Sequence, residues 1–322
     1  MFSIQKKSEN GFNKIILKNE ITGNYATILP GCCGMLHEFS IKQNEETINV
    51  IDSYQSMEEF KNELEEKGYK GCKLSPFVCR MQDTKYTFGE TEYFIHKSLP
   101  AKHALHGLLY DKPFSITAET ANEMNASVTM KYEYRTEDSG YPFEYDCIIT
   151  WQLEPENKLT VKTECVNKDK GLIPMQDGWH PYFKIGESIN DLQLEFQYLK
   201  MVEFSEDLIP TKNLVDYEKF DTIEKIGDTF LDNCFTLDEQ ECQPLCVLRS
   251  PAKNIEVQLF PDESYPYLQI YTPPHRQSIA IENVSGAPNA FNNGMGFITL
   301  EPGQSALFTT SYKILILNKI YE

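Results

Sequence analysis

The stretch Leu159-Thr160-Val161-Lys162-Thr163-Glu164-Cys165 alternates apolar or small side chains with polar ones along its whole length. Two further stretches, 192–197 and 255–259, repeat the pattern with Leu, Phe, Ile or Val at every second position. A period of two is typical of a β-strand, because successive side chains point to opposite faces of the sheet. One face of each strand therefore meets a core, and the other meets water or a polar cleft.

Turn signals lie between the alternating runs along the chain. They are Asn10-Gly11, Gly23-Asn24, Asp138-Ser139-Gly140 and Glu154-Pro155-Glu156-Asn157. Alternation of a buried and a polar face suits antiparallel sheets. Many short strands with regular turns predict an all-β fold, a large antiparallel β-sandwich. The sequence shows no internal repeat, Pro-rich linker or low-complexity tract, so residues 1–322 are expected to form a single domain.

One segment favours a helix instead of a strand. Ser56 and Glu59 have the spacing of a capping box, in which each side chain satisfies a backbone amide of the first turn. Gly68 supplies a stop signal. The apolar residues that share one helical face are Met57, Phe60 and Leu64. The sandwich is therefore expected to carry one or two short helices.

Composition excludes several classes of partner. The 322 residues are 41% hydrophobic and 24% charged, which is typical of a globular protein, and the net charge is −18. Nucleic acid and anionic membranes both require clustered Lys and Arg, so neither is expected as a partner. The N-terminal residues Met1–Glu9 have no apolar core that would make a signal peptide, and no apolar stretch approaches the roughly 20 residues of a membrane span.

The cysteines indicate a reducing compartment. There are nine, an odd number without regular spacing, and Cys242 and Cys246 form one of the few close pairs. Such cysteines are expected to be reduced core thiols in a cytoplasmic protein. A zinc site requires paired Cys or His at short spacing twice over, and the sequence lacks that pattern, so no metal is expected.

Glu282 is a candidate general base. It closes the apolar run Ile279-Ala280-Ile281, and a carboxylate in such a place is expected to be partly desolvated. Desolvation disfavours the charged form and raises the pKa of the carboxyl group toward the range that suits a base at neutral pH. The alternative is a solvated glutamate at the end of a strand.

Two histidines are candidates for the same site. His180 lies in Trp179-His180-Pro181-Tyr182-Phe183, where aromatic neighbours offer a flat surface for a ring, and an imidazole can donate a proton near neutral pH. His106 precedes Gly107, which permits close approach of the backbone to a ligand. The alternative for each histidine is a buried side chain with a structural hydrogen bond. His37, His96, His103 and His275 have no comparable context and are interpreted as surface or structural residues.

Arg80 and Asp232 are charged residues within apolar surroundings. Arg80 lies in Ser75-Pro76-Phe77-Val78-Cys79-Arg80-Met81, and Asp232 lies in Phe230-Leu231-Asp232-Asn233-Cys234-Phe235. Burying an unpaired charge is costly, so each is expected to meet an opposite charge, a carbonyl or a ligand hydroxyl. An internal ion pair is an equally valid interpretation of each.

Taken together and in this order, these segments resemble the aldose 1-epimerase (galactose mutarotase) family. The resemblance runs from about residue 70 to Gly303. Each motif is weak alone, but several in the right order in a β-rich chain of the right length are specific. The motifs are Arg80, Leu105-His106-Gly107, His180-Pro181-Tyr182-Phe183, Asp232-Asn233-Cys234-Phe235, Glu282 and Leu300-Glu301-Pro302-Gly303.

The resemblance implies an isomerase that interconverts the α and β anomers of a free aldohexose such as galactose or glucose. Glu282 takes the proton of the anomeric hydroxyl, and His180 gives a proton to the ring oxygen. His106 binds near the ring oxygen, while Arg80 and Asp232 hold sugar hydroxyls. The resemblance implies no cofactor, a monosaccharide as the partner, and a monomer or homodimer.

The chain departs from the family pattern near the expected sugar-binding edge. His103 and Leu108 stand where members often have Asn and a second Gly. Pro76 and Cys79 stand where they usually have Arg and Asn. These departures leave the acid and the base in place and bear on which sugar is bound.

Three other functions fit parts of the pattern. A carbohydrate-binding protein of the same fold needs no acid–base pair. A hexose-6-phosphate 1-epimerase needs extra cations for the phosphate, whereas Pro76 replaces one family arginine and the chain is acidic. A glycoside hydrolase or lyase needs two carboxylates, for which Glu282 and Asp232 are available, but it leaves both histidines without a role.

Overall fold

The structure, a computed structural model, describes residues 1–238 and 243–317. Strands dominate these two ranges. In chain order they are β1 (Phe2–Glu9), β2 (Phe12–Asn19), β3 (Tyr25–Leu29), β4 (Met35–Gln43), β5 (Glu46–Asn49), β6 (Ile51–Asp52), β7 (Lys73–Leu74), β8 (Arg80–Met81), β9 (Lys85–Phe88), β10 (Thr91–Phe94), β11 (Ala104–Leu105), β12 (Ser115–Ala121), β13 (Ala126–Arg135), β14 (Glu144–Glu154), β15 (Lys158–Asn167), β16 (Ile173–Met175), β17 (Gly178–Trp179), β18 (Tyr182–Phe183), β19 (Gln193–Phe196), β20 (Tyr198–Phe204), β21 (Pro210–Val215), β22 (Glu224–Lys225), β23 (Asp232–Leu237), β24 (Cys246–Ser250), β25 (Ile255–Pro261), β26 (Tyr267–Tyr271), β27 (Ile279–Val284), β28 (Ile298–Leu300) and β29 (Ser305–Ile316).

Helices are few and short, as the sequence predicts. The predicted helix is α1 (Met57–Glu63), and the Ser56 hydroxyl accepts a hydrogen bond from the Glu59 amide at 3.1 Å. It ends at Glu63, before the predicted stop at Gly68. The other helical segments are α2 (Ala290–Asn293) and the 3₁₀ turns Gln82–Thr84, Pro155–Asn157 and Ile189–Asp191. Within the described ranges no helix has the length and apolar character needed to cross a membrane.

Two large antiparallel sheets form the body of the protein. One has the strand order β12-β13-β14-β15-β29-β25-β24-β19-β22. The other has the order β21-β20-β23-β26-β27-β17-β7, with β18 pairing with β27 and β6. Strands β1 to β5 form a third, smaller sheet in sequential order. The predicted all-β class with antiparallel sheets is therefore confirmed.

The two large sheets pack against each other through aromatic side chains. Trp151 on β14 meets Trp179 on β17 with ring centroids 5.3 Å apart, and Phe183 on β18 meets Tyr312 on β29 at 5.8 Å. Each of these rings is at least 98% buried. Burial of a large apolar side chain stabilises a fold by about 1.5–3 kcal/mol, so this shared layer holds the sandwich together.

The alternation in β15 is observed, with one exception. Leu159, Val161 and Cys165 are buried, whereas Lys162 is exposed. Thr160 belongs to the polar side of the pattern but is also buried, because its hydroxyl lies 2.8 Å from the Ser311 hydroxyl on the adjacent strand β29. A satisfied hydrogen bond offsets the cost of burying a polar group.

The described cysteines are free thiols. All eight of them are buried, and none forms a disulfide with another. Cys242, one member of the close pair with Cys246, lies outside the described residues.

A fully buried ion pair lies where β7 meets β17. The Lys73 ammonium donates to the Asp177 carboxylate at 2.5 Å and to the Gly178 carbonyl at 3.0 Å, and it lies 4.5 Å from the Trp179 ring centroid. The Tyr265 hydroxyl donates to the same carboxylate at 2.6 Å. Burial raises the pKa of Asp177, and the Lys73 charge opposes that shift. This network anchors the strand that leads into His180.

Removing the lysine should destabilise the fold strongly. In Lys73→Met the Asp177 carboxylate stays buried without its cation, which costs about 3–5 kcal/mol of unfolding free energy, measured by urea denaturation. The double variant Lys73→Met/Asp177→Asn removes both charges and should recover part of that loss. A single variant within about 1 kcal/mol of the wild type would contradict the ion pair as a stabilising contact.

His37, one of the histidines interpreted from sequence as surface or structural, is buried. It lies on β4 with 8% of its surface exposed, and its Nδ1 is 3.0 Å from the Ser53 hydroxyl. Burial lowers its pKa to about 4, although the Glu38 charge opposes this shift and the Lys14 charge adds to it. The folded protein thus keeps His37 neutral at a pH where the unfolded chain binds a proton.

Stability should therefore fall as the solution is acidified. An unfolded histidine has a pKa near 6.5, so above about that pH His37 does not change the free energy of unfolding. As the pH falls from about 6.5 toward 4, protonation of the unfolded chain lowers this free energy, and below about pH 4 its value no longer changes through His37. Between pH 7 and 5 the loss amounts to about 2 kcal/mol. His37→Gln should show a fall in unfolding free energy smaller by this amount in urea titrations at both pH values. Equal slopes for variant and wild type would show that His37 is not held neutral.

Candidate active site

The five residues predicted from sequence line one cavity of about 200 Å³. Pockets for drug-sized ligands occupy roughly 300–1,000 Å³, so this cavity suits a smaller molecule. The predicted residues that it brings together are Arg80, His106, His180, Asp232 and Glu282. They come from five separate segments of the chain, and the fold alone makes them neighbours.

The second large sheet supplies one wall of the cavity. Glu282 lies within β27 and pairs across the ladder with Gln269 on β26, and Asp232 at the start of β23 pairs with Tyr271 on β26. His180 follows β17 and is held by its backbone, since its amide donates to the Cys72 carbonyl at 3.1 Å. Four consecutive strands of the sheet, β23, β26, β27 and β17, therefore fix these side chains relative to one another.

Glu282 is inside its strand instead of at the end, where the sequence pattern had placed it. Its neighbour Asn283 accepts a hydrogen bond from the Thr310 hydroxyl on β29 at 2.8 Å, so Asn283 faces the other large sheet. Because strand side chains alternate, Glu282 points the opposite way, into the cavity. It is nevertheless 2% exposed, because the segments around Arg80 and His106 cover this face.

The covering segments are two short strands, β8 and β11, which pair with each other. The His106 amide donates a hydrogen bond to the Cys79 carbonyl at 2.9 Å. This contact places the side chains of Cys79 and His106 at the same end of the cavity. Gly107 has φ +78°, and a Cβ there would lie 2.3 Å from the Ser75 carbonyl oxygen. Only glycine fits, but the close approach is to the Ser75 backbone, whereas the sequence interpretation had assigned it to a ligand.

Glu282 and His180 face each other across the cavity floor. The His180 Nε2 is 3.5 Å from the Glu282 Oε1, and the two side chains are 6% and 2% exposed. Burial raises the pKa of Glu282 well above its ordinary value, with a further rise from the Asp232 charge and an opposing effect of Arg80. Burial lowers the pKa of His180 to about 3. Both groups are thus held near one another in surroundings that disfavour their charged forms.

Rings of neighbouring side chains surround His180. His106 meets it edge-on with centroids 4.8 Å apart, and Tyr182 lies parallel to it at 5.2 Å. Burial lowers the pKa of His106 as well, and His180 and Arg80 add to that shift. Of the aromatic residues that flank His180 in sequence, only Tyr182 lines the cavity, because Trp179 and Phe183 belong to the core between the sheets.

Arg80 and Asp232 meet each other, which satisfies the sequence expectation for both. The guanidinium Nη2 lies 3.7 Å from the Asp232 Oδ2, too far for a hydrogen bond, and the side chains are 30% and 12% exposed. The Gln269 amide donates to the Asp232 Oδ1 at 2.9 Å. Burial raises the pKa of Asp232, and the Arg80 charge and this hydrogen bond oppose the rise. The Arg80 guanidinium can therefore still donate hydrogen bonds to a molecule in the cavity, and the Asp232 carboxylate can still accept them.

Several lining residues are not among the sequence candidates. Gln269 and Tyr271 have the two-residue spacing of one strand face, but only the register of β26 against β27 and β23 places them beside Glu282 and Asp232. Cys79 is noted in the sequence only as a departure from the family pattern, yet its Sγ lies 4.0 Å from the Glu282 Oε2. Tyr69, on the turn after α1, contacts the His106 ring edge-on at 4.7 Å.

A larger cavity of about 740 Å³ lies beside α1 and shares Glu65 with the first. Its lining includes Met57, Phe60 and Tyr110 but no histidine. The smaller cavity is therefore the candidate active site, because it alone of the two combines an imidazole with a buried carboxylate.

Comparison with known proteins shows to which family the chain belongs. The profile of the family described as aldose 1-epimerase matches residues 31–313. An uncharacterised protein of Escherichia coli K12, YihR, is 26% identical over 241 residues, which cover 72% of this chain and 74% of that protein.

Solved structures show the same fold. A galactose mutarotase-like protein from Clostridium acetobutylicum superposes with a TM-score of 0.86 at 18% identity, covering 98% of this chain and 99% of the other. A galactose 1-epimerase from Lactobacillus acidophilus gives 0.80 at 18% identity, with 99% of both chains covered. The match of the family profile to most of the chain and the shared mutarotase-type fold lead to one conclusion: this protein is a member of the aldose 1-epimerase family.

Proposed function

We propose that this protein is an isomerase that interconverts the α and β anomers of a free aldohexose. The observation that carries the proposal is the pair of Glu282 and His180, whose side chains share one cavity 3.5 Å apart. Ring opening of a cyclic sugar requires one group to accept a proton from the anomeric hydroxyl and another to give one to the ring oxygen. Both oxygens are bonded to the same carbon, so two groups this close can reach them together.

The reaction needs no group beyond these two side chains. Glu282 accepts the proton of the anomeric hydroxyl while His180 donates a proton to the ring oxygen, the bond between C1 and the ring oxygen breaks, and C1 becomes an aldehyde. Rotation about the C1–C2 bond then presents the other face of the aldehyde. In ring closure Glu282 returns its proton and His180 takes one back, which yields the other anomer and restores the site.

The pKa directions favour one of the two protonation states of this cycle. Ring opening starts with Glu282 as an anion and His180 as a cation and ends with both neutral, and the neutral forms are the ones that burial favours in the free protein. Burial disfavours both charged forms, which favours the protonation state that ring opening produces. The pair holds one proton before and after each turnover, so no charge has to enter or leave the buried site.

The remaining residues have binding roles in this proposal. His106 contacts the His180 ring and binds the sugar near its ring oxygen. Arg80 and Asp232 hold sugar hydroxyls and orient the ring for the proton transfers. Gln269 keeps the Asp232 carboxylate in position through its 2.9 Å hydrogen bond.

The charges around the cavity support an unphosphorylated sugar. Among the described residues that line it, Arg80 is the one with a permanent positive charge, and it already lies against Asp232. A phosphate group requires cations free to bind it, usually through bidentate contacts with arginine. A free aldose is therefore favoured over a sugar phosphate.

Loss of the base should abolish most of the activity. Freshly dissolved α-D-glucose or α-D-galactose should reach anomeric equilibrium faster with the wild-type protein, as measured by polarimetry or proton NMR. Glu282→Gln should lower kcat/KM by at least about a hundredfold, the typical contribution of a general base, and His180→Asn should do the same.

His37→Gln is the matched control, because it replaces a buried histidine outside the cavity and should retain activity at neutral pH. A panel that includes glucose 6-phosphate separates the alternatives. Failure to accelerate any free aldose would favour a binding protein, and acceleration of phosphorylated sugars alone would favour a sugar-phosphate epimerase.

The binding residues should show a different kinetic effect from the acid and the base. Arg80→Met and Asp232→Asn each remove a hydrogen bond between a sugar hydroxyl and a charged side chain. Such a bond contributes about 1.5–3 kcal/mol to binding. We expect KM to rise roughly ten- to a hundredfold while kcat changes less, in initial-rate measurements over a range of sugar concentrations. A large loss of kcat at unchanged KM would assign these residues to the chemical step instead.

A further inference from the structure

Cys79, His106 and Glu282 form a compact group of potential metal ligands. The Cys79 sulfur, one ring nitrogen of His106 and one carboxylate oxygen of Glu282 all lie within 4.8 Å of one another, and all three residues are buried. The Cys79 Sγ and the Glu282 Oε2 are 4.0 Å apart. Zinc bond lengths and tetrahedral angles place ligand atoms about 3.3–3.6 Å apart, so the side chains have to approach by about 1 Å.

The three donor types select a particular class of cation. Thiolate and imidazole suit zinc and other thiophilic divalent ions, whereas magnesium and calcium take oxygen ligands. Three protein ligands leave a fourth tetrahedral position open, which here faces the cavity. The acidic residues that line the cavity are Glu65, Asp232 and Glu282, against the single permanent cation Arg80, so a bound cation offsets an excess of acidic groups.

His106 has free capacity to bind. Its Nδ1 is buried and has no hydrogen-bond partner among residues 1–238 and 243–317, so no contact there commits it to a structural bond. The Cys79 backbone carbonyl accepts the hydrogen bond from the His106 amide, which holds the two donor residues side by side.

We propose that Cys79, His106 and Glu282 bind a thiophilic divalent cation, with Zn²⁺ and Cd²⁺ as probes, and that cation and sugar exclude each other. The cation replaces the proton of the Cys79 thiol, which is released to the solvent. Cation and sugar exclude each other because Glu282 and His106 cannot bind both at the same time. The exclusion rests on the proposed function, whereas the binding does not.

Cadmium binding tests the site directly. The reduced protein is treated with EDTA, desalted and titrated with CdCl₂, and the ultraviolet absorption of the cadmium–thiolate bond is followed together with isothermal calorimetry. Wild type should bind one equivalent that Cys79→Ser binds at least about a hundredfold more weakly, since loss of even an outer-shell partner costs ten- to a hundredfold in affinity. ZnCl₂ should compete for the same equivalent.

Cys234→Ser is the matched control. Cys234 is a fully buried thiol on β23 near Glu282 but outside the three-residue group, so its variant should bind cadmium like wild type. His106→Gln should lose the same equivalent as Cys79→Ser, which keeps the test valid if one variant does not fold. Equal binding by wild type and Cys79→Ser, or no binding by wild type, would overturn the proposal.

Adding the sugar separates this inference from the proposed function. A saturating concentration of the aldose that the enzyme turns over should weaken cadmium binding, and Zn²⁺ should inhibit mutarotation competitively. If metal-free protein interconverts anomers but binds no cadmium, the cation site fails and the enzyme function stands. If cadmium binds at Cys79 but no aldose is turned over, the enzyme function fails and the cation site stands. Simultaneous binding of sugar and cadmium would overturn the exclusion.

Discussion

Burial of the Glu282 carboxylate against His180 is the constraint on which the site depends. Strand β27 runs through the interior of a large sheet, and its side chains alternate between the layer shared with the other sheet and the cavity face. The neighbouring strands therefore set the position of Glu282 through their ladders, and a short loop side chain could not be held as firmly. Low exposure then raises the pKa of this carboxyl group and lowers that of His180, so both neutral forms are favoured.

The remainder of the scaffold maintains that contact from two sides. On the sheet side, the buried Lys73–Asp177 pair anchors the strand before His180 and satisfies charges that would otherwise oppose folding. On the covering side, Gly107 allows β11 to lie against the Ser75 backbone, which brings His106 over the cavity. The other covering segment carries Cys79 directly before β8, so the two segments that enclose Glu282 and His180 also carry two of the three donors of the proposed cation site.

Local sequence context pointed to residues that the fold brings together, but it did not show which way their neighbours face. Glu282, His180, His106, Arg80 and Asp232 were all selected from local context and motif order, and all five line one cavity. Trp179 and Gly107 illustrate the limit of that reasoning. Both lie beside a candidate histidine in the chain, but one packs into the core and the other against backbone, since adjacent residues in a strand or tight turn face different directions.

The sequence by itself determined the fold class, because the two-residue period in segments such as 159–165 can be buried only in a sheet with one apolar face. It also pointed to the side chains to which we assign acid–base chemistry, since that choice depends on residue type and local context. Only the tertiary structure decided that Gln269 supports Asp232, that Arg80 and Asp232 face each other, and that Cys79 lies beside Glu282. These contacts join residues 37 to 203 positions apart, and strand register and loop packing, which no local pattern encodes, bring them together.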